Sequence, residues 1–249
     1  MGAATEQVPL WSIPFQKNLY FTGREDELAR LYHALTKEKN VVLTQPQMIS
    51  GLGGIGKTQL AIEYAYRHRN DYQYIFWVRA DTNELLILDY TEIANSLDLP
   101  MKDEKDQRLI VRAVINWLQS HTDWLLILDN ADNLEAVRDF LPKKGNGHIL
   151  LTTRSPAIGI DAQGIELDSM RPEESVLFLM RRAKLLNLDS SIDSVSDIDR
   201  SKAREIAKNM GDLPLALAQA GAYIEETECG LQGYLRLYQA RGVKLLKEP

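Results

Sequence analysis

A chain of 249 residues, 45% of them hydrophobic and 26% charged, has the composition of a globular protein with ample core for one large or two smaller units. Its net charge of −6 argues against a mainly electrostatic nucleic-acid binder, because phosphate-backbone affinity comes from clustered Lys and Arg, so no direct nucleic-acid partner is expected. Cys229 is the only cysteine, which excludes an intrachain disulfide. No apolar run reaches spanning length and the N-terminus has no signal-like apolar segment, so no membrane partner is expected and the expected setting is the cytoplasm.

In chain order, residues 1–20 contain Pro9, Pro14 and several aromatics without a helical period, which predicts an extended arm laid over the body. Thr22-Gly-Arg-Glu25 has the T-x-x-E form of a capping box, and Leu28, Leu31 and Leu35 follow at helical spacing, predicting a helix over about 24–36. Apolar residues 41–44 and 48–50 flank Gln-Pro-Gln, so the strand there is predicted short or interrupted at Pro46.

Gly51-Leu-Gly-Gly-Ile-Gly-Lys-Thr58 then matches the G-x-x-x-x-G-K-[ST] phosphate loop. Its glycines reach backbone conformations closed to residues with a Cβ, so successive N–H groups can point at one anion. Lys57 places a charge among the terminal phosphates, Thr58 offers a hydroxyl to Mg²⁺, and the following helix aims its positive end at the same place.

Residues 74–78 read as a second strand, apolar without alternation as a doubly covered strand should be. Helices follow over 83–97 and 107–119. Strands at 124–129 and 148–153 flank a short helix near 135–140 and a Lys-Lys-Gly-Asn-Gly turn at 143–147, and 164–167 is a fifth strand. Strands alternating with helices predict an α/β fold, a three-layer parallel sheet over 1–168. From 169 the pattern is helical only, with helices from Arg171-Pro-Glu-Glu onward, at 202–209, 214–225 and 231–240. Acid-rich 189–199 reads as a solvated interhelical loop with a cap. His33, His68, His121 and His148 share no metal-ligand spacing, and Trp77, Trp117 and Trp124 read as core.

Leu125-Leu-Ile-Leu-Asp129 has the Walker B form of an apolar strand delivering an acid to the carboxyl edge of the sheet, where Asp129 can hold Mg²⁺. The next residue is Asn130, which cannot accept a proton from an attacking water. Asp132 is the nearest carboxylate that could, so slow hydrolysis is expected, a weak ATPase at most. Arg154 ends the following strand at the same edge and can meet a γ-phosphate with a bidentate contact.

Five segments stand in order: Phe21-Thr-Gly-Arg-Glu25, the phosphate loop, Leu125–Asp129 with Asn-Ala-Asp, Leu150-Leu-Thr-Thr-Arg154, and Gly211-Asp-Leu-Pro-Leu-Ala216. Together they resemble, over roughly residues 8–240, the NB-ARC nucleotide-binding module of the signal-transduction ATPases with numerous domains, a P-loop NTPase fold followed by a small helical lobe (169–249). The resemblance implies ADP or ATP with Mg²⁺ as ligand. Phe21 and Arg24 would line the adenine side. Gly53, Gly54, Ile55, Gly56, Lys57, Thr58 and Gln59 would surround the phosphates, and Leu213 and Pro214 would close over the base. Thr58 and Asp129 would be the metal ligands, and Arg154 the first sensor. It also implies a regulatory switch whose full-length protein self-associates through this module. The winged-helix lobe, sensor repeats and effector domain of relatives are expected to lie outside the chain, as in an excised core. Two alternatives stand: a conventional turnover ATPase using Asp132 as base, and an interaction scaffold around a structural nucleotide.

Overall fold

The computed structural model describes residues 10–36, 46–154 and 163–241. They form two compact units. The first comprises Met1–Lys17, Glu25–Gly51 and Lys57–Leu167, and the second Asn18–Arg24, Leu52–Gly56 and Asp168–Pro249, each through its described residues.

Six strands make the first unit: β1 (Leu10–Trp11), β2 (Gln47–Ser50), β3 (Tyr74–Arg79), β4 (Thr122–Asp129), β5 (Asn146–Thr153) and β6 (Gln163–Glu166). They pair in parallel, in the order β1-β3-β4-β5-β2-β6. Parallel strands need crossover helices, which here are α1 (Glu25–Thr36), α2 (Lys57–Arg67), α3 (Asn83–Ser96), α4 (Gln107–Ser120) and the single turn α5 (Leu134–Val137). Phe76, Val78, Leu126, Leu128, Ile149 and Leu151 pack with α3 and α4 in one core. The intervening Ile75, Leu125, Ile127 and Leu150 are equally buried on the other face, where α2 meets β5 and α1 meets β2 and β6. Burial on both faces explains the unbroken apolar runs of β3 and β4, each such Leu or Ile contributing about 1.5–3 kcal/mol relative to exposure.

The second unit holds α6 (Pro172–Arg182), α7 (Asp197–Asn209), α8 (Pro214–Thr227) and α9 (Gly230–Arg241) around Leu179, Ile206, Leu217, Ile224 and Tyr234. Gly221 lets α6 and α8 approach, since a Cβ there would sit 2.7 Å from Arg182 Cγ.

Several sequence expectations change. The arm at 1–20 contributes a strand: Leu10 N–H donates to Gln73 O at 2.9 Å and Ser12 N–H to Ile75 O at 3.0 Å. The Ser12 hydroxyl extends this pairing by accepting from Trp77 N–H at 3.0 Å. The apolar stretch 41–44 lies outside the described residues, and β2 begins just after Pro46. The Thr22 capping box does not form. Its hydroxyl donates to Tyr20 O instead, and α1 starts at Glu25 behind the left-handed pair Gly23 and Arg24. α7 starts at Asp197 rather than 202 because Ser196 caps it from within the acidic stretch, accepting from Asp199 N–H. The last two residues of the expected turn 143–147 already belong to β5.

Candidate nucleotide-binding site

Strand register assembles the site. β2 lies between β5 and β6 with Ser50 opposite Thr153, so Gly51 and Arg154 leave the sheet side by side. On the other side of β5, Leu128 pairs with Leu151, which brings Asp129 level with Thr152. The carboxyl ends of β2, β4 and β5 therefore deliver Gly51, Asp129 and Thr152-Thr-Arg154 to one edge.

The loop that leaves β2 turns through Gly51 (φ 141), Gly54 (φ 76) and Gly56 (φ 99), the region an L side chain rarely enters. Lys57, at the start of α2, is 8% exposed and its Nζ donates to Gly51 O at 2.8 Å, closing the loop on itself. Burial pushes its ammonium below the usual lysine range. Asp132 and Asp129 oppose that shift, and Arg154 adds to it.

Asp129 is 6% exposed. Its Oδ1 accepts from the Thr58 hydroxyl at 2.8 Å and the Thr152 hydroxyl at 2.6 Å, while Thr152 Oγ1 accepts from Asn130 N–H at 3.0 Å. Burial raises the Asp129 carboxyl above the usual range, and the two hydroxyls recover part of the shift. Oδ2 takes no protein hydrogen bond among the described residues. Thr58 and Asp129 thus present adjacent hard oxygens, a donor set that fits Mg²⁺. Asn130 follows in the left-handed conformation (φ 60), which Asn tolerates better than most residues, and is exposed.

Asp132 is fully engaged. Oδ1 accepts from the Thr153 hydroxyl at 3.0 Å and Arg154 N–H at 2.6 Å; Oδ2 accepts from Arg154 Nε at 2.6 Å and pairs with its Nη2 at 2.6 Å. Burial works against the charge, but Arg154 and Thr153 outweigh it and hold the carboxyl below its usual range. A carboxylate offers about four acceptor positions, and here four donors take them.

In the second unit, residues 52–56 of the same loop lie on the first turn of α8. Leu215 N–H donates to Gly54 O at 3.2 Å, and Pro214 Cγ lies 3.8 Å from where a Cβ of Gly56 would sit. Gly211 (φ 66) and Asp212 (φ 53) reverse the chain ahead of Leu213, and Pro214 opens the helix, where its missing N–H costs nothing. Phe21 N–H donates to Asn18 O at 3.1 Å. Arg24 is 7% exposed, its N–H donates to Glu174 Oε1 at 3.3 Å and its Nη2 to Asp168 O at 2.5 Å, so its guanidinium braces the start of the helical unit. Gln59 faces solvent on α2.

Of the residues expected from the sequence, the first unit brings together Lys57, Thr58, Asp129, Asp132 and Arg154. The second brings together Gly54, Gly56 and Pro214, with Ile55 buried in the same segment, exposed Gly53 beside it, and Leu213 at the N-cap of α8. Sequence reasoning missed Thr152, Glu174 and Leu215. Only Thr152 left a signal, as a polar residue closing an apolar strand, and it becomes readable only once β4 and β5 are known to be neighbours.

A family model described as the NB-ARC domain matches residues 24–187. Among curated proteins the chain is similar to a nucleotide-binding leucine-rich repeat (NLR)-like protein of Hyaloscypha variabilis, 28% identical over 253 residues (92% of this chain, 25% of the relative). It is also similar to the regulatory protein AfsR of Streptomyces griseus, 26% identical over 212 residues (81% and 20%), and to the probable disease resistance protein RF45 of Arabidopsis thaliana, 24% over 221 residues (83% and 21%). The chain spans about a quarter of the length of these relatives or less. Among solved structures it resembles RuvB of Thermotoga maritima (TM-score 0.54, 18% identity, 92% of this chain and 73% of that one). A signal transduction ATPase with numerous domains from Pyrococcus horikoshii, carrying a tetratricopeptide repeat sensor, gives 0.53, with 18% identity over 87% of this chain and 31% of that one. Cdc6p of Pyrobaculum aerophilum gives 0.57, with 14% identity over 86% and 67%. At these identities the structural likeness concerns the fold, a P-loop NTPase sheet.

Proposed function

Because the chain belongs to the NB-ARC domain family, a nucleotide-binding module of signalling ATPases, we propose that it works as an adenine-nucleotide switch. The observation that carries this reading is the division of one phosphate loop. Its ends, Gly51 and Lys57-Thr58, belong to the sheet unit beside Asp129, and its tip, residues 52–56, belongs to the helical unit on α8. A nucleotide shifts a conformational equilibrium only through differential contacts with its states, and the phosphate loop is the segment expected to make them.

In this reading Lys57 and the loop N–H groups from Gly53 to Gln59 hold the phosphates, while Thr58 and Asp129 hold Mg²⁺, which supplies charge neutralisation. Phe21 and Arg24 stand on the base side with Leu213 and Pro214, and Arg154 meets the γ-phosphate. Bound ADP favours one arrangement of the units and Mg²⁺·ATP another, and in a longer cytoplasmic protein the second exposes a self-association surface. Turnover is slow, a reading supported by Asn130, which follows the Walker B acid and lacks a carboxylate.

The test starts with freshly purified protein. It is denatured, the released nucleotide is separated chromatographically, and phosphate release from intact protein is followed in Mg²⁺·ATP. Near-stoichiometric ADP with negligible turnover is expected. Sustained turnover that Asp132→Ala abolishes would overturn the switch in favour of an enzyme.

A further inference from the structure

We propose that Asp132 is a latch for Arg154: it holds the guanidinium when the site carries a diphosphate and yields it to the terminal phosphate of a triphosphate, so that this pair sets the ATP-over-ADP preference. The inference rests on the nucleotide reading above and assigns Asp132 a positioning role instead of that of a base.

The two halves of the pair are held differently. Asp132 Oδ1 is anchored by the Thr153 hydroxyl and the Arg154 backbone N–H, groups fixed at the end of β5. Among the described residues Oδ2 is held only by the guanidinium of Arg154, whose side chain is 72% exposed. Loss of the guanidinium therefore leaves the carboxylate in place with Oδ2 open to water, and only the arginine moves. A guanidinium fork matches a carboxylate and a phosphate equally well in shape. Arg154 also starts within range of the phosphate loop: Thr153 pairs with Ser50, the residue before Gly51, and the charges of Arg154 and Asp132 are both felt at the Lys57 ammonium.

Exposure makes the exchange easy. Solvent-accessible ion pairs hold weakly, so a phosphate brought close by the loop can compete. The latch keeps Arg154 from adding a bare positive charge to a site that holds only a diphosphate.

The experiment is a double-mutant cycle. Affinities for ADP and for a non-hydrolysable ATP analogue, each with Mg²⁺, are measured by calorimetry in wild type, Asp132→Asn, Arg154→Ala and the double variant. Asn keeps the Oδ1 acceptor for Thr153 and the backbone but cannot hold the guanidinium as an ion. Asp132→Asn is expected to raise the ATP-analogue:ADP affinity ratio by up to about fivefold, the equivalent of an exposed ion pair. In the Arg154→Ala background the same substitution should leave the ratio unchanged. An unchanged ratio in Asp132→Asn, an equal loss of both affinities, or the same shift in both backgrounds overturns the latch.

Should Asp132→Asn not fold, the wild-type protein decides by NMR. The Arg154 Nε–H resonance, identified by its absence from Arg154→Lys, is expected to move between the ADP and ATP-analogue complexes, and an identical position overturns the exchange. Wild-type protein that binds neither nucleotide would instead overturn the underlying reading.

Discussion

Replacing Asp129 by Asn should stabilise the nucleotide-free protein while removing its response to Mg²⁺·nucleotide. The carboxylate is 6% exposed, and its chief compensation is two hydroxyls on a single oxygen. Burial raises its pKa, so its contribution to folding is favourable below the ordinary carboxylate pKa and is lost as pH rises through the folded value. At neutral pH the charge opposes the fold. Desolvating a carboxylate costs several kcal/mol, whereas two charge-assisted hydrogen bonds return about 1.5–3 kcal/mol each, and an amide keeps the acceptor without the charge. We expect a net gain on the order of 1 kcal/mol, or about 2–4 °C in Tm for a chain of this size. For wild type, nucleotide at a hundred times its Kd adds about 2.7 kcal/mol, and this increment should shrink sharply in Asp129→Asn. Thermal melts with and without Mg²⁺·ADP read both effects. A nucleotide-free variant that melts below wild type, or one that keeps the full Mg²⁺·ADP shift, refutes the reasoning.

Three further outcomes are expected. Gly23→Ala places a Cβ at φ 71, 2.3 Å from Glu174 Cδ, and displaces the acceptor of Arg24 N–H; about 1–2 kcal/mol should be lost, with faster hydrogen exchange at the start of α6 and weaker ADP binding in titration. Gly147→Ala sets a Cβ 2.0 Å from the Trp124 ring, which cannot retreat because Nε1 donates to Leu118 O and His121 O; urea denaturation should show a loss of about 3 kcal/mol. For Asp212, burial is outweighed by Arg204 and the Ser175 hydroxyl, which hold its pKa down. Its contribution is present above the ordinary carboxylate pKa and disappears as pH falls through the lowered value, so Asp212→Asn should cost about 1 kcal/mol at neutral pH and flatten the acid limb of a stability-pH profile.

The elements legible in the sequence were those whose signal is local. The phosphate loop, the doubly buried strands β3 and β4 and the amphipathic helices declare themselves by residue type and period, so Lys57, Thr58 and Asp129 could be named before any coordinates. A two-residue strand such as β1 has no period to read. The first turn of α7 hides in Ser-Asp-Ile-Asp because its residues face solvent and its cap looks like any loop serine. The site was less legible where it depends on strand order. Nothing within Asn-Ala-Asp132 or Thr-Thr-Arg154 reveals that the two are partners, since their meeting follows from β4 and β5 being neighbours in a particular register. From the sequence Asp132 reads as the nearest carboxylate to an attacking water; the structure adds that it accepts from Thr153 and Arg154.

The short strand β1 also bears on colloidal behaviour. β3 carries Tyr74-Ile-Phe-Trp-Val78, five uncharged residues of high β-propensity, on what would otherwise be the outer edge of the sheet. Such an edge is a template for another chain. Leu10 and Trp11 take up its first backbone groups, and the Ser12 hydroxyl takes the N–H of Trp77 beyond them. Three residues before the phosphate loop thereby act as a guard against edge-to-edge aggregation, and a fragment trimmed to begin after Ser12 would keep its nucleotide residues while offering that edge to its neighbours.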